Sequence, residues 1–116
     1  MKLNKNNTGI LAEQLAATFL AQKGLILVTK NYHCRFGEID IVMMDAKTLV
    51  FVEVRLRTNS QFGDAAASIT PQKQQKIRLA AQHYLQQFDD KNACRFDVIL
   101  MHKAEMQAIE WIKNAF

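Results

Sequence analysis

A mixed α/β fold, with a central sheet flanked by helices, is what this sequence of 116 residues predicts. Two observations carry the prediction. Apolar residues recur at helical spacing over 8–23 and again over 71–88, while the stretches between and after them read as strands. Two of those strands, 36–44 and 49–57, are apolar on both faces apart from a few charged positions, which marks central strands covered on each side. The element order is α-β-β-β-α-β-β, with helices packed on a mixed sheet.

Each element has its local reason. Leu11, Leu15 and Phe19, with Ala12, Ala16 and Leu20 beside them, form the stripe of the first helix; Thr8 can cap its start and Gly24 end it. Leu25-Ile26-Leu27-Val28 reads as a buried strand ending near Asn31. The polar link 45–48 joins the next two strands as a hairpin. Residues 58–69 form a loop containing Phe62-Gly63-Asp64. Thr70 then serves as N-cap and Pro71 as the first residue of the second helix, whose stripe is Ile77, Ala80, Ala81, Tyr84, Leu85 and Phe88. Residues 89–92 turn into a strand over 94–101, and a short fifth strand with Trp111 lies within 106–112.

Length and composition bound the rest. The size suits one domain, residues 1–116, with no repeat and no Pro/Gly/Ser-rich linker. A hydrophobic fraction of 49% argues against disorder. No apolar run reaches the roughly 18 residues of a membrane span, and the N-terminus lacks the apolar block of a signal peptide. A cytoplasmic protein without membrane association is expected. Cys34 and Cys94 are isolated and read as reduced thiols. His33, His83 and His102 have no ligand spacing and read as surface or edge residues. A pI near 9.2 is compatible with nucleic-acid binding.

The hairpin serves as a ruler. A symmetric loop pairs Met44 with Leu49, which sets Asp40 opposite Glu53 and Glu38 opposite Arg55, all four on one face by strand alternation. Opposed carboxylates in an apolar hairpin need a compensating proton, Arg or divalent cation. Carboxylate oxygens suit Mg²⁺ or Mn²⁺, which keep waters and can hold a phosphate. A structural ion-pair network centred on Arg55 is the other reading of the same residues.

Asp40, followed twelve residues later by Glu53-Val54-Arg55, resembles the core motif of the PD-(D/E)XK nuclease superfamily. The chain is similar, more closely, to the YraN-type family of uncharacterised bacterial proteins, related to archaeal Holliday-junction resolvases. The matching stretches are Gly9-Ile10-Leu11-Ala12-Glu13, Gly37-Glu38-Ile39-Asp40, Phe51 to Arg55 with Arg57, Phe62-Gly63, Thr70 to Gln74, Arg95 to Val98 and Asn114-Ala115-Phe116. The resemblance implies a restriction-endonuclease-like core in a single nuclease-like domain. It implies a Mg- or Mn-dependent endonuclease acting on DNA, including branched recombination intermediates. Asp40 and Glu53 take the metal-ligand positions, with the Val54 carbonyl as a further ligand, and Glu13 matches an acidic residue of the first helix. Glu38 and Gln72 stand behind the ligands. Arg55 occupies the place of the motif Lys and departs from it, since Arg stays charged and forks onto phosphate rather than releasing a proton. That departure makes a catalytically inactive nucleic-acid-binding protein one alternative; a protein-interaction domain without nucleic-acid role is another. Related resolvases work as dimers, so a homodimer is compatible.

Between residues 54 and 88, Arg55, Arg57, Lys73, Lys76 and Arg78 face a single acid, Asp64. Arg57, Lys73, Lys76 and Arg78 are therefore candidate phosphate contacts, Lys73 in a first helical turn that itself favours anions.

Overall fold

The computed structural model describes residues 7–57 and 69–116. Its elements are α1 (Asn7–Gln22), β1 (Ile26–Cys34), β2 (Gly37–Asp45), β3 (Thr48–Leu56), α2 (Pro71–Gln87), β4 (Ala93–Met101) and β5 (Ile109–Ile112), the last entered through a 3₁₀ turn at Met106–Ala108. The expected α-β-β-β-α-β-β order is the observed one. One sheet has the strand order β1-β2-β3-β4-β5. β3 and β4 run parallel and the other neighbours antiparallel. A parallel pair needs a crossover, and α2 lies in it. The expected loop with Phe62-Gly63-Asp64 falls outside the described residues.

Capping follows local chemistry. The Thr70 hydroxyl accepts from the Lys73 N–H at 3.1 Å with Pro71 opening α2. α1 ends in a Schellman motif: Gly24 adopts φ +97, Leu25 N–H bonds the Leu20 carbonyl, and Gly24 N–H bonds that of Ala21. Asn7 is already helical, so Thr8 lies inside the helix rather than at its cap.

The two helices cover opposite faces. Ala12, Ala16 and Leu20 of α1 pack on Ile41, Met43, Val50, Val52, Ile99 and Met101. Ala80, Ala81 and Tyr84 of α2 pack on Ile39, Val42, Leu49 and Phe51. Along β3 the assignment alternates strictly between the two clusters, as a doubly covered strand requires. The α2 stripe is as expected except at Phe88, which is half exposed at the C-cap.

β1 corrects an expectation. Only Leu25 of its apolar quartet is buried; Ile26 is 69% exposed, and Leu27 and Val28 are nearly half exposed. The cause is position. β1 is an edge strand, and a short apolar run has the same appearance at an edge as in the centre.

The C-terminal segment is held by a buried carboxylate. Asp97 is fully buried and accepts from Arg95 Nε, Trp111 Nε1 and the Asn114 N–H at 2.9–3.0 Å. Arg95 also pairs with Asp45 at 2.8 Å, and Phe116 stacks on Phe96. Asp97→Ala strips three donors of their acceptor. It is expected to cost about 3 kcal/mol or more, read as a lowered midpoint in urea unfolding; an unchanged midpoint would refute the clamp.

Candidate active site

β2 and β3 pair from Asp45↔Thr48 to Ile41↔Val52, the register expected from the sequence, and the ladder stops there. The strands part at Asp40. Ile39 packs with the α2-side core and Ile41 with the α1-side core, although strict alternation would put both on one face. The break extends to β1, where Asn31, between the Lys30↔Ile41 and Tyr32↔Ile39 pairs, has φ +55. Asp40 fills the gap: its Oδ2 accepts the Val54 N–H at 2.9 Å, a side-chain oxygen standing in for a strand carbonyl.

A cleft of about 230 Å³ opens at this point, lined by Gly9, Ala12, Glu13, Asp40, Glu53, Val54, Arg55, Leu56 and Lys73. Small residues on α1 let that helix approach the strand ends. Three carboxyl groups come from three elements: Glu13 on α1, Asp40 on β2 and Glu53 on β3. They are only 6%, 8% and 6% exposed. Arg55 Nη1 and Lys73 Nζ reach Glu53 Oε2 at 3.6 and 3.5 Å. Burial pushes the Glu53 carboxyl up to about 7; the adjacent, hydrogen-bonded Asp40 adds to the rise, while Lys73 and Arg55 oppose it.

The structure thus gathers Glu13, Asp40, Glu53, Val54, Arg55 and Lys73 in one place. It does not bring the other candidates there. Glu38 pairs with His33 at the start of β2, and its predicted place opposite Arg55 lies beyond the end of the ladder. Arg57 continues the parallel register, its N–H bonding the Met101 carbonyl. Gln72 and Lys76 are exposed on α2. Arg78 lies over the Phe96 and Phe116 rings and helps hold the C-terminal segment. Sequence spacing placed Lys73 among phosphate contacts and did not reveal its ion pair with Glu53; that depends on α2 docking beside the end of β3. His83, read as a surface residue, is instead hydrogen-bonded to Tyr32.

Among the described residues no group of three or more His, Cys, Asp or Glu side chains forms a metal cage. A pair suffices for Mg²⁺ or Mn²⁺, which commonly use one or two protein carboxylates and keep waters. Asp40 and Glu53 are such a pair: hard oxygens in contact, buried and in need of positive charge.

Residues 12–101 match the family described as "Uncharacterised protein family UPF0102". The chain belongs to the UPF0102 family. A UPF0102 protein of Nitrosospira multiformis is 56% identical over 108 residues, covering 93% of this chain and 91% of the relative. One from Nitrosomonas eutropha is 57% identical over 110 residues, 95% and 93% of the two chains. One from Legionella pneumophila is 51% identical over 110 residues, 93% and 92%. UPF0102 membership agrees with the family of uncharacterised bacterial proteins expected from the sequence. No helix among the described residues is long and apolar enough to cross a membrane.

Glu53 makes stability depend on pH. Its ordinary value is 4.5, so between about 4.5 and 7 the folded chain holds a proton that the unfolded chain has released. Stability therefore falls as pH rises through that window and levels off above it. Glu53→Gln keeps a neutral side chain facing Asp40, Lys73 and Arg55. It is expected to gain about 2–3 kcal/mol on the wild type between pH 4 and pH 8, measured by urea unfolding in EDTA. Parallel pH profiles for the two proteins would contradict the buried-acid account.

Proposed function

We propose that this cleft is the active site of a metal-dependent endonuclease that hydrolyses phosphodiester bonds in nucleic acid, with DNA as the favoured substrate. The observation that supports it most is the layering of charge: two touching carboxylates at the floor, with an arginine and a lysine from two different elements beside them. A floor of hard oxygens fits a divalent cation, and the flanking cations fit the phosphate that such a cation attracts.

Asp40 and Glu53 would hold Mg²⁺ or Mn²⁺, with the Val54 carbonyl as a further oxygen. Bound there, the ion would polarise a phosphoryl oxygen and lower the pKa of a water. The chain's own groups do the rest. The Asp40 bond to Val54 N–H fixes the carboxylate, so its second oxygen is oriented without cost at the moment of reaction. Arg55 presents a planar fork to two phosphate oxygens, and Lys73 adds a compact charge from the first turn of α2. Glu13 walls the cleft from α1 and offers acceptors to water. Arg55 leaves the strand without the motif lysine, and Lys73 returns an ammonium to within reach of Glu53.

The test is cleavage of linear, single-stranded, flapped and four-way DNA in Mn²⁺ by wild type and Asp40→Asn purified in parallel. Wild-type cleavage that falls at least about 100-fold in Asp40→Asn supports the reading; equal activity in both overturns the role of Asp40. Mn²⁺ is also expected to raise the Tm of the wild type and leave that of Asp40→Asn unchanged.

A further inference from the structure

The turn between β1 and β2 contains only Arg35 and Phe36, since Cys34 pairs with Gly37. β2 starts here and β3, antiparallel to it, ends at Leu56, so the turn shares the sheet end that holds the cleft. Asp40 is four residues after Phe36, about 13 Å of strand and roughly four nucleotides of a stacked strand. The exposed Arg35 guanidinium lies 4.9 Å from the Phe36 ring centroid. The Phe36 ring meets His83 edge-on at 6.3 Å. His83 is fixed in turn: the Tyr32 hydroxyl donates to Gln87 Oε1 at 2.8 Å and shares a hydrogen bond with His83 Nδ1. Lys76, one helical turn after Lys73, places its Cβ 3.7 Å from where a Gly37 side chain would begin. The result is a braced aromatic–guanidinium surface, reached from the carboxylates by way of Lys73 and Lys76.

We propose that Arg35 and Phe36 form a stacking site for an unpaired base of the nucleic acid whose backbone enters the cleft. The assignment rests on the cleft acting on nucleic acid. Aromatic faces and guanidinium planes stack any base whose own π-face is free, and a base inside a duplex offers none. The cations between turn and cleft track phosphate without reading sequence. The site therefore selects strands that carry an unpaired segment.

The test is fluorescence anisotropy of the full chain in EDTA, using labelled oligo-dT and a blunt duplex of the same length. Phe36→Ala is expected to weaken oligo-dT binding about ten-fold and duplex binding less than about two-fold, with Phe36→Trp restoring the wild-type value. Arg35→Lys, on an exposed side chain, keeps the charge and is expected to weaken oligo-dT binding in the same selective way. Unchanged oligo-dT binding in both variants, or equal losses on both DNAs, overturns the stacking site. If the wild type also cleaves DNA, the cleft reading survives that outcome. A wild type that binds neither DNA overturns the stacking site, and the Mn²⁺ cleavage assay then decides the cleft reading separately.

Discussion

The 2.9 Å bond from Val54 N–H to Asp40 is the contact on which the rest of the site depends. A regular hairpin would have continued its ladder to the strand ends and closed the sheet there. Breaking it frees backbone donors that need an acceptor in a buried place. Asp40 provides that acceptor from its side chain, so the strands can diverge without orphaning the amide. The gap they leave is the cleft, and the residue that permits it also faces Glu53.

Burial then makes the charge problem acute. Glu53 and Asp40 touch with little water around them, and two like charges so placed favour a proton, a cation or both. Arg55 and Lys73 relieve part of this, yet the Glu53 carboxyl still sits near 7. An architecture built only for stability would more readily place apolar side chains there, because buried ion pairs rarely outperform them. The Glu53 carboxyl is therefore a cost to stability that the fold carries at this one place.

Much of this was legible beforehand, and the failures have causes. Strands buried on both faces declare themselves through runs such as Leu49 to Val52, and Thr70-Pro71 marks a helix start by chemistry alone. The hairpin register followed from its short link. The same ruler failed past Ile41, because alternation assumes an unbroken pleat and Asp40 sits at the break; Glu38 and Arg55 were consequently placed face to face. β1 was read as buried because an apolar quartet does not encode its neighbours. Lys73 could be recognised as basic but not as a partner of Glu53, since that contact joins residues twenty apart through the docking of α2.

The clamp around Asp97 has a consequence for how the chain leaves the ribosome. Trp111 and Asn114 supply two of the groups that bond this carboxylate, and both follow β4 by more than nine residues. Until residue 114 has emerged, β4 cannot enter the sheet without burying a carboxylate short of donors. The parallel β3–β4 pairing that carries α2, and with it Lys73, into place is thus completed by donors that follow it in the chain.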